Sequence, residues 1–415
     1  MCGLYFHIVY NIAISLYLAG VAIASLFSEK VKKMWRGERQ AIKLLREKVD
    51  PNAQYVWFHA ASLGEFEQGR PLMERLRATH PEYKILLTFF SPSGYEVRKN
   101  YEGADIVCYL PLDTIRNARR FLRTVRPVMA FFIKYEFWYN YLHILRHRGV
   151  PVYSVSSIFR PGQVFFRWYG RRYANVLRCV TRFFVQNEES CRLLSSIGID
   201  CAEVTGDTRF DRVAAIAKAA KKIDIVERFK ADSRLFVAGS TWGPDEDILQ
   251  ELINSNPDIK FVIAPHEMNE GRIGKIIEAT KGGAIRYTQC NEQTTFDGTQ
   301  VLILDTVGIL SSVYGYALWS YIGGGFGVGI HNTLEAATFA LPIAFGPNYK
   351  KFKEARDMVA LGVATKVESA EDLHKWFTPL RDNEQTLRQV STTAKEYTSK
   401  HQGATSLIMK IVFGE

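Results

Sequence analysis

Two carboxylates follow buried apolar stretches in the first half of the sequence. Glu65 comes shortly after AQYVWF, which is typical of a buried β-strand, and Glu136 comes shortly after VMAFFI. A carboxylate at the end of a strand can accept a proton from a substrate hydroxyl if its pKa suits the reaction. Each acid also has a structural explanation, since Glu65 suits a helix start and Glu136 suits a cap or a salt bridge. Together they predict a pocket that binds and deprotonates an acceptor.

Small and polar residues accompany the two acids. Ser62 and Gly64 belong to the first segment, HAASLGE, and Trp138 and Asn140 belong to the second, EFWYN. Parallel strands end at the same edge of a sheet, where ligands of open α/β sheets bind. We therefore expect these four residues at the acceptor pocket, with core packing as the alternative for Trp138.

A glycine-rich segment in the second half, residues 321–337, reads YIGGGFGVGIHNTLEAA. A strand that runs into glycines and then into a helix can bring backbone N–H groups close to a phosphate. The segment is not the GxGxxG dinucleotide fingerprint, and it follows the fourth predicted strand of its domain, so a nicotinamide-dependent oxidoreductase is disfavoured. Glu335, in the first turn of the helix, is a candidate for binding ribose hydroxyls. A tight turn without a ligand is the alternative.

Other predicted strand ends in the second half carry polar groups. VAGSTW ends with Ser240 and Thr241, VIAPHE ends near His266, and LDTVGIL contains a turn at Gly308. A lone histidine is more often structural than functional. Here several predicted strand ends converge on the glycine-rich segment, so His266 is a stronger candidate for a functional role than a lone histidine.

The elements that must position these residues alternate between strand and helix patterns. Such alternation indicates βαβ units and parallel sheets, and the pattern restarts after VTGDTRFDRV. The sequence therefore predicts an α/β protein with two doubly wound domains that face a ligand-binding cleft. The expected limits are 1–29 for an N-terminal helix, 30–206 for the first domain and 207–415 for the second, with the last helix able to pack back on the first domain.

The N-terminal segment is the most apolar part of the chain. Residues 4–27 contain no Lys, Arg, Asp or Glu, and several basic residues follow at once. A helix needs about 20 mostly apolar residues to cross a membrane, so the segment is long enough. The basic flank predicts a retained anchor with the rest of the chain on the cytoplasmic side. A helix that lies in the membrane interface and a cleaved signal peptide are the alternatives.

Composition limits the function classes. The sequence has 53 Lys and Arg against 43 Asp and Glu, a net charge of +10, which favours anionic ligands or surfaces. The basic residues are dispersed and form no recognised nucleic-acid module, so nucleic acid is not an expected partner. The six cysteines include no C-x-x-C pair, so neither a zinc site nor a disulfide framework is indicated.

In their order and spacing, the motifs resemble those of one family over nearly the whole chain. They are WRGER, HAASLGE, EFWYN, VQNEE, TGDTRFD, DTVGIL, GGG, HNTLEA and FGPNYKKFKEA. The sequence resembles the Kdo transferases of lipopolysaccharide synthesis, membrane-associated glycosyltransferases of the GT-B type. The resemblance implies transfer of Kdo from CMP-Kdo to the lipid A precursor lipid IVA, with inversion and without a metal or other cofactor. It places the protein on the cytoplasmic side of the inner membrane, with the lipid surface as a partner.

The resemblance also implies roles for individual residues. Glu65 matches the catalytic base, Glu136 the second acid, and Arg209 a position where the family usually has lysine. Acceptor binding falls to Ser62, Gly64, Trp138 and Asn140. Donor and CMP binding fall to Ser240, Pro265, His266, Val307, Gly308, Ile309, Gly324, Gly325, His331, Asn332, Thr333, Leu334 and Glu335.

One departure from the family pattern affects the donor site. The family often has Pro-Arg-His where this chain has Ala264-Pro265-His266, and Arg272 is the candidate to replace that arginine. The rival interpretations are a GT-B enzyme that uses a UDP-sugar on a membrane acceptor, an epimerase of similar fold, and a non-catalytic nucleotide-binding membrane adaptor.

Overall fold

The computed structural model of the protein describes the backbone of residues 2–415 and the side chains from residue 7 onward. The chain forms two compact units: unit 1 is Met1–Arg212 with Gln402–Glu415, and unit 2 is Val213–His401. The N-terminal helix thus belongs to unit 1, and the chain enters unit 2 after Arg212 rather than after residue 206. The last residues belong to unit 1.

Unit 1 is built on a seven-stranded parallel sheet with the order β3-β2-β1-β4-β5-β6-β7. In chain order its elements are α1 (Cys2–Ala24), α2 (Glu29–Lys48), β1 (Gln54–Ala60), α3 (Leu63–Thr79), β2 (Tyr83–Phe89), α4 (Pro92–Arg98), β3 (Ile106–Tyr109), α5 (Ile115–Val125), β4 (Met129–Ile133), α6 (Tyr139–His147), β5 (Val152–Ser157), β6 (Arg182–Val185), α7 (Glu188–Ser195), β7 (Ala202–Val204) and α8 (Arg209–Lys218), which continues into unit 2. Short 3-10 turns at Val164–Phe166, Trp168–Gly170 and Tyr173–Cys179 connect β5 to β6.

Unit 2 repeats this architecture with a seven-stranded sheet in the order β10-β11-β9-β8-β12-β13-β14. Its elements are α9 (Asp224–Lys230), β8 (Arg234–Thr241), α10 (Gly243–Ser255), β9 (Ile259–Pro265), α11 (Glu270–Ala279), β10 (Ala284–Arg286), β11 (Val301–Ile303), α12 (Leu310–Val313), β12 (Trp319–Ile322), α13 (Thr333–Thr338), β13 (Ile343–Phe345), α14 (Lys353–Ala360), β14 (Ala364–Lys366), α15 (Ala370–Asp382) and α16 (Glu384–Lys400). The chain then returns to unit 1, where α17 (Ala404–Phe413) packs on α3.

Each sheet has a switch point beside its first strand in chain order, which marks where a ligand is expected. β1 pairs with both β2 and β4, and β8 pairs with both β9 and β12, all in parallel. At such a switch point the loops on the two sides diverge and leave a crevice outside the carboxyl ends of the strands. The predicted class, two doubly wound parallel α/β units, is confirmed.

The sequence prediction missed four of the five shortest strands. β7, β10, β13 and β14 have three residues each, as does β11, which the apolar run VLILD predicts. Because β10 precedes β11, the glycine-rich segment follows the fifth strand of its sheet, so the predicted fourth position is wrong. The segment still does not follow the first strand of its sheet, so it does not match a dinucleotide-binding fingerprint.

Helix α1 is attached to unit 1 near both of its ends. Its partly or fully buried residues recur at helical spacing on one side: His7, Tyr10, Asn11, Ile14, Leu18, Val21, Ala22 and, just after the helix, Ser25. At one end Tyr10 Oη donates to Asp113 Oδ2 at 2.7 Å, and Asn140 Nδ2 donates to Asn11 Oδ1 at 3.0 Å. At the other end Val21 packs with the buried residues Met34 and Tyr109. The remaining face is apolar and exposed.

Candidate active site

Glu65 lies just beyond the carboxyl end of β1, in the first turn of α3. The helix begins at Leu63, earlier than the apolar pattern alone indicates. Glu65 Oε2 accepts a hydrogen bond from the Ala61 backbone N–H at 2.6 Å, so the side chain reaches back to the loop before the helix. This contact satisfies a backbone donor that the helix leaves unpaired. Glu65 therefore does have the structural role at a helix start that the sequence indicated.

The environment of Glu65 also gives it unusual acid–base behaviour. Burial, followed by repulsion from Glu136, raises its pKa to about 7, against opposing effects of Lys134 and of the backbone N–H groups of Ala61 and Ser62. A carboxylate with a pKa near 7 is suited to accept a proton at neutral pH.

Glu136 follows β4 and is held by two side chains. Trp138 Nε1 donates to Glu136 Oε2 at 2.9 Å and lies 3.2 Å from His59 Nε2. His59 Nε2 is in turn 3.5 Å from Glu136 Oε2. Trp138 also contacts Phe90, with 5.1 Å between ring centroids. The indole therefore serves as a polar partner of Glu136 as well as a packing group.

His59 is fully buried near the end of β1 and was not predicted as a site residue. Its Nδ1 lies 2.9 Å from Thr88 Oγ1, and the same hydroxyl accepts a hydrogen bond from Trp57 Nε1 at 2.8 Å. These buried contacts fix the orientation of the imidazole beside Glu136. His59 thus belongs to the set of residues that positions the second acid.

Glu67, two residues after Glu65, has a different environment. Arg98 Nη2 donates to Glu67 Oε1 at 2.9 Å, and Arg212 and Arg70 lie 3.8 and 3.9 Å from its Oε2. The carboxylate of Glu67 is therefore occupied by arginine side chains on both of its oxygens. Of the two acids at the start of α3, Glu65 is the better candidate base.

The other predicted residues of unit 1 divide into two groups. Ser62 precedes the first residue of α3, and a Cβ on Gly64 would meet nothing within 4 Å, so there is space beside Glu65. Asn140 is buried, and its Nδ2 donates to the Asp113 carbonyl at 2.6 Å as well as to Asn11. These contacts give Asn140 a structural role, and its contact with an acceptor stays a prediction.

Arg209 begins α8 and is tied to a buried acid. Its Nη2 and Nε donate to Asp207 Oδ2 at 2.8 and 3.0 Å. Burial alone would raise the pKa of Asp207, but Arg209 and Gln68 outweigh it and the pKa is lowered. The side chain of Arg209 is 28% exposed, so its guanidinium is held in place yet remains reachable by solvent.

In unit 2, aromatic rings from three strand ends form a stack. The centroids of Trp242 and His266 are 4.8 Å apart, and those of His266 and His331 are 4.3 Å apart. Trp242 Nε1 donates to His331 Nε2 at 3.1 Å. Burial, and then His266, lower the pKa of His331 to about 4, so the ring is neutral at pH 7 and accepts this bond. The predicted convergence of these strand ends is present within unit 2.

Buried Asp245 holds the glycine-rich segment. The Gly324 backbone N–H donates to Asp245 Oδ2 at 2.9 Å, and Tyr321 Oη donates to Asp245 Oδ1 at 2.7 Å. Gly324 has a φ of 90°, and a Cβ on Gly325 would lie 2.5 Å from the Gly346 Cα. Glycine is therefore required by conformation at the first position and by close backbone approach at the second.

Glu335 is fixed by two hydrogen bonds from neighbouring segments. Ser311 Oγ donates to Glu335 Oε2 at 2.6 Å, and Asn332 Nδ2 donates to Glu335 Oε1 at 2.9 Å. Asn332 also caps α13, where its Oδ1 accepts from the Leu334 N–H at 3.1 Å. Ser311 lies in α12, directly after the Gly308 turn, so this contact joins two of the predicted CMP-binding segments.

The remaining predicted donor residues lie on these same segments. Ser240 is in a bulge of β8 with a φ of 55°, and Pro265 pairs with Thr241 in the ladder between β8 and β9. Val307 is 82% exposed, Gly308 has a φ of 92°, and Ile309 precedes α12. Thr333 and Leu334 are buried in the first turn of α13.

Arg272, the candidate replacement for the family arginine, is engaged within the protein. Its Nε and Nη2 donate to the two Glu246 carboxylate oxygens at 2.9 and 2.8 Å, and Nη2 also donates to the Thr241 carbonyl. Its Cζ lies 5.6 Å from the Trp242 ring centroid. These contacts assign Arg272 to the support of Trp242 rather than to a free phosphate contact.

Residues 2–415 contain no group of three His, Cys, Asp or Glu side chains that could hold a metal ion. The expected independence from metals stays a prediction.

The chain was compared with known proteins. Residues 34–212 match the family model described as 3-deoxy-D-manno-octulosonic-acid transferase (kdotransferase). Over 377 residues the chain is 25% identical to the 3-deoxy-D-manno-octulosonic acid transferase of Haemophilus influenzae. The aligned region covers 87% of each protein. The chain is 26% identical over 378 residues to the enzyme of that name from Bordetella pertussis, covering 86% of each.

Residues 34–212 are a Kdo transferase domain. The chain is a glycosyltransferase, as the order of its motifs indicated. The family match covers Glu65, Glu136 and Arg209 and ends at Arg212, the last residue of the first segment of unit 1. Both acids of the candidate site thus lie in the part of the chain that the family model describes.

A solved structure supports the fold class. The UDP-GlcNAc 2-epimerase of Neisseria meningitidis, determined with bound UDP-GlcNAc, has a TM-score of 0.62 to this chain and covers 87% of it, with all of its own chain aligned. At 15% identity this likeness concerns the fold alone. It confirms the predicted GT-B type of fold.

Proposed function

We propose that this protein transfers Kdo from CMP-Kdo to the lipid A precursor lipid IVA, with inversion and without a metal ion. The family match supports Kdo as the transferred sugar. The donor nucleotide, the acceptor and the stereochemistry rest on the resemblance stated above and on the chemistry of the two candidate sites.

The raised pKa of Glu65 is the observation that carries the proposal. In the proposed reaction an acceptor hydroxyl attacks the anomeric carbon of Kdo, the bond from that carbon to the CMP phosphate breaks, and the hydroxyl proton passes to Glu65. Glu65 Oε2 already accepts from the Ala61 N–H, so Oε1 is the oxygen that takes the proton. The Ala61 contact then keeps the side chain in one orientation during the reaction.

Glu136 and Arg209 have supporting roles in this proposal. Glu136 raises the pKa of Glu65 and accepts from Trp138, so it orients the acceptor pocket and keeps the base poised. Arg209, already held by Asp207, offsets the negative charge that develops on the departing CMP phosphate. A preorganised cation is more effective in this role than a mobile one, because it need not reorganise during the reaction.

The donor site is proposed to lie in unit 2. The glycine-rich segment offers close backbone approach to a phosphate, and Glu335, oriented by Ser311 and Asn332, accepts hydrogen bonds from ribose hydroxyls. The stack of Trp242, His266 and His331 provides a rigid aromatic wall beside this segment.

The membrane location is proposed from α1. Residues His7–Ala24 are the one stretch among the described helices that is long and apolar enough to cross a membrane. Its exposed face carries large apolar side chains with exposures between 46% and 69%: Ile8, Val9, Ile12, Leu16, Tyr17 and Ile23. The nearby 3-10 turns add Trp168, which is 86% exposed. An apolar face with a basic neighbouring helix is suited to an anionic bilayer surface.

We propose further that α1 lies in the plane of the membrane interface and does not span it. Because α1 is attached to unit 1 near both ends, through Tyr10 and Asn11 and through Val21, a spanning orientation would carry α2, with the sequence EKVKKMWRGERQAIKLLREK, to the depth of the hydrocarbon. Charged side chains are strongly disfavoured there. An in-plane helix leaves α2 in water and places only the exposed face of α1 among the lipids.

This orientation predicts that neither end of α1 reaches the periplasm. Cys2 precedes the apolar segment, so a membrane-impermeant maleimide added to intact spheroplasts should leave it unlabelled, whereas lysed cells should be labelled. A periplasmic cysteine in a reporter protein of the same cells provides the positive control. Labelling of Cys2 in intact spheroplasts would show that the helix spans.

The proposed function predicts product formation without metal. Purified protein incubated with CMP-Kdo and lipid IVA in EDTA should give an acceptor that is heavier by one or more Kdo residues in mass spectrometry. UDP-GlcNAc in place of CMP-Kdo should give no product. Activity that EDTA abolishes and magnesium or manganese restores would contradict the metal-independent reaction, and transfer from the UDP-sugar alone would contradict the donor.

A further inference from the structure

A groove in unit 1 has no role in the proposed reaction. It has a volume of about 1200 Å³ and is lined by residues of α1, α2 and α5; we call it the α1–α2–α5 groove. Its lining includes none of Glu65, Glu136, His59 and Trp138, so it is distinct from the pocket of the two acids.

The groove has an apolar wall and a basic wall. Ile8, Ile12 and Leu16 of α1 line the apolar side and recur every fourth residue, a line of about 12 Å along the helix. Arg116 and Arg120 of α5 line the basic side, also four residues apart and therefore on the same face of their helix. The apolar wall suits a hydrocarbon chain, and the basic wall suits an anion.

The arginines of the groove have no acidic partners. Within residues 7–415 no carboxylate makes an ion pair with Arg39, Arg116 or Arg120. Guanidinium groups bind phosphate oxygens through paired hydrogen bonds. Three such groups beside an apolar wall therefore favour a phosphate attached to hydrocarbon.

Glu38 is a buried acid beside the groove. Its side chain lines the groove and the residue is 6% exposed; Oε2 accepts from the Leu112 N–H at 3.3 Å, and Oε1 is buried without a hydrogen-bond partner among the described residues. Burial raises the pKa of Glu38 to about 8, so near pH 7 it is mainly a neutral acid that does not repel an anion. The positive charge of the arginines is therefore not offset from this side of the groove.

We propose that the α1–α2–α5 groove binds an anionic phospholipid of the bilayer, with an acyl chain along Ile8, Ile12 and Leu16 and the phosphate against Arg116 and Arg120. Such a lipid completes the contact between α1 and α5 and fixes the protein at the membrane surface. The proposal depends on the membrane location of α1 but not on Kdo transfer.

Retention of phosphatidylglycerol by the full-length protein in mild detergent, followed by native mass spectrometry, tests this proposal. The variant R116A/R120A should lower the affinity for phosphatidylglycerol about tenfold or more, because it removes charge-assisted hydrogen bonds to the phosphate. R119A/R123A is the matched control: it removes the same charge from the same helix at exposed positions outside the groove, and its affinity should equal that of the wild type. Melting curves check that both variants fold.

Four outcomes separate the proposal from its competitors. Selective loss in R116A/R120A, with phosphatidylcholine bound weakly by the wild type, supports it. Equal loss of phosphatidylglycerol affinity in both variants would mean diffuse charge attraction. Displacement of the lipid by millimolar inorganic phosphate would mean an anion site without an acyl chain. Either result overturns the proposal. A raised KM for lipid IVA in R116A/R120A alone would assign the groove to the acceptor lipid and also overturn it. Absence of Kdo transfer contradicts the proposed function and leaves the phospholipid measurement unaffected.

Discussion

Replacing Glu65 by glutamine is expected to lower the turnover number by a factor of about 10² to 10⁴, the usual contribution of a general base. Glutamine keeps the length of the side chain and an oxygen that accepts from the Ala61 N–H, so the start of α3 should be preserved. It cannot take the proton of the attacking hydroxyl. Steady-state kinetics with CMP-Kdo and lipid IVA measure the loss, and CMP affinity should stay at the wild-type value.

The pH dependence provides a second readout of the same residue. The base must be ionised to act, so kcat/KM of the wild type should rise with pH up to about 7, the pKa of Glu65, and level off above it. The Glu65→Gln variant should lack this rising limb. A purely structural role would lower the rate equally at every pH.

Glu67→Gln is the matched control for this substitution. Glu67 lies on the same helix and its carboxylate is paired with Arg98, so its loss should cost little turnover. Near-normal turnover of Glu65→Gln, together with loss of activity in Glu67→Gln or Glu136→Gln, would show that another acid is the base.

Replacing Glu335 by alanine is expected to weaken CMP binding about 10- to 100-fold, the range for a lost hydrogen bond to a charged group. The carboxylate is already oriented by Ser311 and Asn332, so little ordering is needed when a ribose binds. Isothermal titration calorimetry with CMP measures the change in Kd.

Glu368→Ala is the control for the donor site. Glu368 is an exposed acid of the same unit whose contact is an ion pair with Lys366, and its removal should leave the Kd unchanged. An unchanged Kd in Glu335→Ala would remove this residue from the proposed CMP site. Equal weakening in both variants would indicate a general electrostatic effect.

The long central strands were readily predictable from sequence, and four of the five three-residue strands were not. β1, β2, β8 and β9 have seven or eight residues, most of them buried, and such apolar runs are readily recognised. Strands of three residues, such as β10, are too short to show a period of two. They form because neighbouring strands supply their backbone hydrogen bonds. The local sequence does not show these partners.

The candidate site was predictable in its location but not in its contacts. Parallel topology alone brings strand ends to one edge, so the sequence is sufficient to group Glu65 with Glu136. The contact between His59 and Thr88, and that between Ser311 and Glu335, join residues 29 and 24 positions apart. Asn140 likewise makes contacts that its motif did not indicate, since its side chain binds Asp113 and Asn11.

The hydrogen bond between Asn11 and Asn140 has a geometric consequence. It attaches α1 to the first turn of α6, and Trp138, immediately before that helix, donates to Glu136. If α1 lies at the lipid surface, the two acids are held at a set height above the bilayer. The protein then selects its acceptor by distance from the membrane. A hydroxyl that projects from the bilayer by the matching distance meets the base, and one that lies deeper or higher does not.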